Sequence, residues 1–167
     1  MLSASCLSKI SLLRLFGKLP GNTLLSAEMN TCLSFDFGTR RIGVAIGRAM
    51  LGSATPLPPL AARDGIPDWS EIEKLVSEWK PDGFVVGLPL NMDGTASEMS
   101  LRATKFGKRL QGRFNKPYFM MDERLSSHEA KGYVIDQGGD RDFGRNSVDG
   151  IAAVLILESW FAQQAEA

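Results

Sequence analysis

The order of hydrophobic and polar residues predicts a domain in which strands come first and then alternate with helices. Two short apolar runs, TCLSFDFG and IGVAIG, are separated by a turn at residues 38–41, which predicts a β-hairpin. Residues 54–60 are extended and rich in proline. Because proline cannot donate to the hydrogen-bond ladder of a sheet, this segment is expected at a sheet edge or in a loop. The run FVVGLPL is apolar at nearly every position, which is typical of a strand covered on both faces.

Apolar residues at helical spacing predict helices at about 67–79, 97–114, 126–137 and 147–163. In the second of these helices we expect Leu101, Leu110 and Phe114 to face the core. The segment PYFMMDERL predicts one more strand. The resulting order, β-β-β-α-β-α-β-α-α, is that of an α/β domain with a mixed central sheet flanked by helices.

The first 28 residues differ in composition from the rest of the chain. They are rich in Ser and Leu and carry Lys9, Arg14 and Lys18 against a single acid, Glu28. These cations interrupt the apolar residues, which argues against a signal peptide. An organelle-type transit segment is an alternative. We favour a disordered N-terminal extension or an upstream-start artefact, with Met29 as the native start and residues 29–167 as the domain.

Charge and cysteine content restrict the possible functions. The formal net charge is +0, and because residues 1–28 hold three cations and one anion, the remainder is net −2. Contact with a polyanion must therefore come from a local basic patch. The two cysteines match no metal-ligand spacing, and Cys32 is expected to be a buried, reduced thiol. Without an apolar run of about 18 residues, the sequence predicts no membrane span and a cytoplasmic location.

Four acidic residues are candidates for chemistry. Asp36 falls in the middle of the first predicted strand, where a charge is costly unless it is paired, hydrogen-bonded or metal-bound. The alternative is that it caps the hairpin turn. Asp122 and Glu123 are adjacent at the end of a strand and should point to opposite faces, so at most one is expected to share a site with Asp36. Asp149 is expected in the first turn of the last helix, where the helix dipole favours an acid in any case.

The ligand types indicate which metal this chain could bind. It offers three or four carboxylates as candidate ligands and has a single histidine, His128, which is expected on a helix surface. Carboxylates without His or Cys partners are the ligand set of Mg²⁺ or Mn²⁺. A pair of such ions can clamp the attacking and leaving oxygens of a phosphodiester. Hydrolysis of nucleic acid is therefore a candidate activity.

Basic residues are concentrated between residues 101 and 116, which include no acid. Cations there recur at three- and four-residue steps through to Lys116, so on a helix they form one stripe that could track a phosphate backbone. An ordinary solvated helix face is the alternative. Further cations lie in the hairpin, beside Asp122 and Glu123, and around a glycine-rich loop at 138–144. This loop could close over a substrate. The predicted nucleic-acid-binding residues are Arg40, Arg41, Arg102, Lys105, Arg109, Arg113, Arg124, Arg141 and Arg145.

Four segments, FDFGTRRIGVAIG, VVGLPLNMDGT, MDERLSS and SVDGIAAVLILESW, resemble in order and spacing the signature blocks of the YqgF/RuvX family. The similarity extends over about residues 30–161. It implies an RNase H-like fold related to Holliday-junction resolvases of the RuvC type, and a nuclease that matures the 5′ end of pre-16S rRNA. The acidic positions of the family fall on Asp36, Glu123 and Asp149, with Asp122 as a neighbour that could assist.

One difference from RuvC-type enzymes is visible in the sequence. Those enzymes place an acid on the strand that corresponds to FVVGLPL, and this chain has none there. Glu123, on the next strand, would have to supply that ligand.

The resemblance thus predicts a metal-dependent endonuclease in which Asp36, Glu123 and Asp149 bind Mg²⁺ or Mn²⁺ and the substrate is pre-rRNA. A resolvase of branched DNA is one alternative, and a non-catalytic nucleic-acid-binding module in ribosome assembly or transcription is another. A junction enzyme is expected to be a homodimer, whereas an rRNA nuclease could act as a monomer. The segment DFGT also resembles a phosphate loop of actin-like ATPases, but those proteins need two such domains and a second phosphate motif.

Overall fold

A computed structural model describes residues 29–125 and 148–166 and contains a mixed six-stranded sheet. Its strands are β1 (Thr31–Asp36), β2 (Arg41–Arg48), β3 (Ser53–Arg63), β4 (Ile66–Pro67), β5 (Gly83–Leu88) and β6 (Tyr118–Asp122). In space they follow the order β4-β3-β2-β1-β5-β6. The strands β1 to β4 pair antiparallel, whereas β5 is parallel to β1 and β6 is parallel to β5. The predicted mixed sheet with an initial hairpin is confirmed.

The helices of the described residues are α1 (Trp69–Trp79), α2 (Glu98–Phe114) and α3 (Val148–Glu166), with a 3-10 turn at Glu123–Leu125. Side chains cap the first two helices. The Asp68 side chain accepts a hydrogen bond from the Ser70 amide at 2.9 Å, and the Ser97 hydroxyl accepts one from the Ser100 amide at 3.0 Å. These three helices lie where the sequence predicts them, to within about three residues at each end. The extension at 1–28, the predicted helix at 126–137 with His128, and the loop containing Arg141 and Arg145 fall outside the described residues.

The two faces of the sheet are covered by different helices. Alternate residues of β1 point to opposite faces, so Phe35 packs with α1 and α2, whereas Cys32 packs against α3. On the first face, Ile72 of α1 and Phe106 of α2 are buried. On the second face, Trp160 of α3 is buried. The sheet is therefore flanked by helices on both sides, as an unbroken apolar β5 predicts.

The helix α3 is bound closely to the sheet at three points. The fully buried Ser34 donates its hydroxyl to the carbonyl of Ala153 at 2.7 Å. The amide of Ala54 donates to the carboxylate of Glu158 at 3.1 Å. A Cβ added to Gly47 of β2 would lie 2.8 Å from Leu157 Cδ2, so the helix rests directly on the strand backbone.

Several expectations need correction. Asp36 is the last residue of β1 rather than its middle, because the chain leaves the sheet for the hairpin turn directly after it. Leu101 is 64% exposed, because the apolar face of α2 is set by Ala103, Phe106 and Leu110, and Leu101 lies outside that arc. The proline-rich segment is a full strand, β3, but it lies near the sheet edge as predicted, since β4 pairs with only two of its residues.

Two further expectations concern Cys32 and the membrane. Cys32 is fully buried and reduced, as predicted, and burial raises the pKa of its thiol to about 12, with a smaller contribution from the negative charge of Asp82. Within residues 29–125 and 148–166, no helix combines the length and apolar character needed to cross a membrane.

Candidate active site at the carboxyl edge of the sheet

The carboxyl ends of β1, β5 and β6 meet at one edge of the sheet, because these three strands are parallel. Phe35 of β1 is in register with Val86 of β5, and Gly87 of β5 is in register with Met121 of β6. Asp36 follows Phe35 directly, so it lies beside Gly87 at the same height of the sheet. In open α/β sheets this edge is the usual place for a ligand.

The helix α3 brings Asp149 to the same edge. It runs antiparallel to β1, since Trp160 packs with Met29 and Cys32 at the start of the strand whereas Ala153 accepts the hydrogen bond from Ser34. Asp149 precedes Ala153 by one turn, about 6 Å along the helix. This is close to the distance of about 6.6 Å by which Asp36 follows Ser34 along the strand.

Both acids therefore sit on the α3 face of the sheet or at its edge. Alternation along β1 turns Asp36 to the same face as Ser34, and its side chain is half-buried. The backbone of Asp149 lies at the beginning of α3. The sequence prediction that these two acids share a site is compatible with this backbone placement.

Glu123 reaches the same face through a gap left by a glycine. It opens the 3-10 turn after β6, and its carboxylate lies against Gly87 of β5. A Cβ at residue 87 would be 2.5 Å from Glu123 Oε1 and 2.6 Å from Ile156 Cδ1 of α3. The strand β5 has no acid of its own, and the Glu123 carboxylate, supplied from the turn after β6, is packed on its face. Gly87 is not among the residues predicted from the sequence, although a glycine inside a strand is a sign of close approach by another group.

Asp122 has a different environment from Glu123. Its carboxylate oxygens each lie 3.1 Å from Arg124 Nε, and one lies 2.7 Å from Nη2. The backbone amide of Arg124 adds a hydrogen bond of 3.0 Å. The Arg124 guanidinium holds the pKa of Asp122 below its usual range, and Asp122 in turn raises the pKa of Arg124. A role for Asp122 as a metal ligand would require this ion pair to open.

The loop between β5 and α2 borders this edge. The Asp93 carboxylate accepts hydrogen bonds from the Thr95 hydroxyl at 2.6 Å and from its amide at 2.9 Å, which lower the pKa of Asp93. Gly94 has a φ of 87° and lies next to the Arg124 guanidinium, which would be 3.2 Å from a Cβ there. Arg124 is thus held between Asp122 and the loop, and its guanidinium borders the edge that carries Glu123.

The predicted basic residues fall into two groups. Arg40 is exposed in the turn after β1 and Arg41 is exposed at the start of β2, both at the same edge of the sheet as Asp36. The basic stripe of α2 lies on the opposite face of the sheet from α3, because α2 packs through Phe106 and Leu110 on the other core. The structure therefore does not bring the stripe together with the acids.

Several members of the α2 stripe are bound to other parts of the protein. Arg102 forms an ion pair of 2.8 Å with Asp64 and also donates to its carbonyl. The Arg113 guanidinium lies 4.3 Å from the ring centre of Trp69. Lys116 donates to the carbonyl of Pro81. Lys105 and Arg109 are exposed to solvent, so these two remain the simplest candidates for contact with a phosphate backbone.

The described side chains alone do not complete a metal site. Among them, no group of three or more His, Cys, Asp or Glu residues is close enough to hold a metal ion. Asp36 and Glu123 nevertheless supply two carboxylates to one edge of one face, and the helix that carries Asp149 begins there. Hard oxygen donors of this type fit Mg²⁺ or Mn²⁺ rather than a softer metal.

Comparison with known proteins identifies relatives over nearly the whole described chain. The family model "RuvX: Holliday junction resolvase" matches residues 30–163. A "Putative pre-16S rRNA nuclease" of Marinobacter nauticus is 60% identical over 146 residues, which cover 87% of this chain and 97% of the relative. A protein of the same name from Chromohalobacter salexigens is 60% identical over 139 residues, covering 83% of this chain and 94% of the relative.

A solved structure shares the fold at low sequence identity. Thermus thermophilus RuvC in complex with a Holliday junction substrate superposes with a TM-score of 0.57 at 11% identity. The superposition covers 83% of this chain and 97% of the RuvC chain. This likeness establishes the RuvC-like, RNase H-like architecture predicted from the sequence.

Proposed function

The chain belongs to the RuvX family, and on this basis we propose that it is a metal-dependent endonuclease that hydrolyses phosphodiester bonds during processing of the 5′ end of pre-16S rRNA. The observation that carries the proposal is the Glu123 carboxylate held against Gly87, on the face and at the edge where Asp36 ends β1 and α3 begins. Relatives of 60% identity bear the name of such a nuclease, which supports the same substrate.

In this proposal Asp36, Glu123 and Asp149 bind Mg²⁺ or Mn²⁺. When bound, a pair of divalent ions supplies charge neutralisation for the scissile phosphate and a water of lowered pKa. The residues of the chain have separate tasks. Asp36 and Glu123 hold negative charge at fixed positions because a strand end and a short 3-10 turn carry them, and rigid elements position ligands better than loops. Asp149 enters from the first turn of α3.

The substrate backbone would be bound by the cations at the same edge. Arg40 and Arg41 are exposed at the same edge of the sheet as Asp36, and Arg124 is held at that edge by Asp122. Exposed guanidinium groups match the geometry of phosphate oxygens and supply affinity that is independent of sequence. Lys105 and Arg109, on the other face, would contact only a substrate large enough to pass around the domain, as a folded rRNA precursor is.

The test is cleavage of two substrates side by side with Mn²⁺: a pre-16S rRNA 5′ leader and a four-way DNA junction. We expect cleavage of the RNA, reduced about 100-fold or more by Asp36→Asn and by Glu123→Gln, because each change removes a negatively charged ligand of the divalent ions that would neutralise the scissile phosphate. Glu73→Gln, an exposed acid of α1 on the opposite face, is the matched control and should retain full activity.

The other outcomes separate the alternatives. Cleavage of the junction with little cleavage of the RNA would replace the rRNA substrate by branched DNA. Binding of both substrates without cleavage of either, unchanged in the Asp36 and Glu123 variants, would refute the nuclease and support a binding module.

A further inference from the structure

We propose that Gly87 is a positioning residue for the metal site, because its missing side chain provides the space that the Glu123 carboxylate occupies. This inference rests on the proposed function in that it assigns Glu123 the role of a metal ligand. It adds a residue that has no ligand atom of its own.

The geometry shows how little room there is at this position. An ideal Cβ on residue 87 would lie 2.5 Å from Glu123 Oε1, 3.3 Å from Glu123 Cδ and 2.6 Å from Ile156 Cδ1. All three distances are shorter than ordinary van der Waals contact between heavy atoms, about 3.5–4.0 Å. A side chain of any size at residue 87 and the present position of the carboxylate therefore exclude each other.

The backbone of Gly87 cannot move away to relieve such a clash. It lies in β5 between β1 and β6, and it is in register with Met121, which is buried. The groups that can yield are the ends of two flexible side chains, Glu123 and Ile156. An alanine at residue 87 would thus push the Glu123 carboxylate aside by less than the width of that group, while the fold remains intact. Catalytic groups tolerate such shifts poorly, and a misplacement of about 1 Å costs on the order of 100-fold in rate.

The same geometry predicts that the carboxylate can be supplied from β5 instead. The oxygens of an aspartate are two bonds from its Cβ, and Glu123 Oε1 is 2.5 Å from the Cβ position of residue 87. An aspartate at residue 87 can therefore place an oxygen close to where Glu123 now has one, provided that the Glu123 side chain is removed. The double variant Gly87→Asp/Glu123→Ala moves the charge from the turn to the strand at constant net charge.

The experiment measures Mn²⁺ binding by calorimetry or electron paramagnetic resonance, and kcat and KM for cleavage of the leader RNA. The Tm of each variant shows whether it is folded. For Gly87→Ala we expect kcat to fall about 100-fold, Mn²⁺ affinity to fall about 10-fold and KM for RNA to change less than about twofold. Gly112→Ala is the matched control, because a Cβ there meets no atom within 4 Å, and it should leave all three unchanged.

The relocation variants test position rather than mere packing. Gly87→Asp/Glu123→Ala should bind Mn²⁺ within about 10-fold of the wild-type affinity, whereas Gly87→Asn/Glu123→Ala, of nearly equal size but uncharged, should bind no better than Glu123→Ala alone. If Gly87→Ala folds poorly, this pair decides the question, because removal of the Glu123 side chain relieves its clash with residue 87 and only the end of the Ile156 side chain has to move. Equal Mn²⁺ affinity of the two double variants would overturn the inference.

Two results distinguish failure of this inference from failure of the proposed function. Wild-type kcat and Mn²⁺ affinity in Gly87→Ala, with both lost in Glu123→Gln, would overturn the role of Gly87 and leave the nuclease standing. A wild-type protein that neither binds Mn²⁺ nor cuts RNA would overturn both.

Discussion

Replacement of Gly47 by alanine should destabilise the protein by about 2 kcal/mol, within the range for overpacking of a close-packed interior. The added Cβ would lie 2.8 Å from Leu157 Cδ2 and 2.9 Å from Phe161 Cε2, both on α3. It would also lie 2.8 Å from the carbonyl oxygen of Ser53 on the neighbouring strand. The two side chains can change rotamer, but the carbonyl belongs to the backbone. Either the pairing of β2 with β3 or the position of α3 on the sheet must therefore shift.

The assay is urea denaturation followed by tryptophan fluorescence. Trp160 reports on the affected interface, since it is 3% exposed and its ring centre is 5.4 Å from that of Phe119. With an m-value of about 2 kcal/mol/M, the midpoint should fall by about 1 M. Gly112→Ala makes the same chemical change in α2 where no atom lies within 4 Å, and it should stabilise by about 0.5–1 kcal/mol. A wild-type midpoint for Gly47→Ala would refute direct contact of α3 with β2.

The shifted pKa values of Cys32 and Asp122 each predict a dependence of stability on pH. The pKa of Cys32 is raised from 9.0 to about 12 in the folded state, so its contribution to stability is complete below pH 9 and is lost between pH 9 and 12, at about 1.4 kcal/mol per pH unit. In urea unfolding over this pH range, the free energy of unfolding of Cys32→Ala should therefore fall less steeply with pH than that of the wild type, by the same amount per pH unit. The pKa of Asp122 is lowered by Arg124, so its contribution is present above the unfolded pKa of about 3.9 and disappears as the pH falls through the folded value. The urea midpoints of wild type and Asp122→Asn should therefore differ at pH 7 and converge at acid pH, and an unchanged difference down to pH 2 would contradict the ion pair.

The fold could be predicted because its sequence signals are local. The hairpin, the buried run of β5 and the helical spacing of apolar residues each depend on residues close together in the chain. Alternation of side chains along a strand allowed one of the adjacent acids Asp122 and Glu123 to be proposed for a site with Asp36. The choice of Glu123 came from the resemblance to the YqgF/RuvX family and not from the pattern of residues.

The partners of individual side chains could not be predicted in this way. The α2 cations are evenly spaced, but Arg102 pairs with Asp64 in the turn after β3, and Arg113 lies on Trp69 at the start of α1. Spacing within a helix does not specify such contacts, which come from other elements. Nor does the spacing specify which face of the sheet α2 covers. The basic stripe of α2 is separated from the acids because α2 and α3 cover opposite faces. The predicted phase of α2 is wrong at Leu101 for the same reason, since this residue is apolar yet lies outside the packed arc.

The hydrogen bond between Ser34 and Ala153 spans 119 positions of the chain, and this separation bears on the order of events during synthesis. A polypeptide emerges amino end first, and the hairpin of β1 and β2 can form early because its contacts are local. The helix α3 follows every strand of the sheet in the chain, so Asp149, the proposed partner of Asp36, is not available until that helix has been synthesised. A nascent chain in which α3 has not yet been made therefore lacks the proposed ligand Asp149. The proposed nuclease would acquire activity only after synthesis of α3.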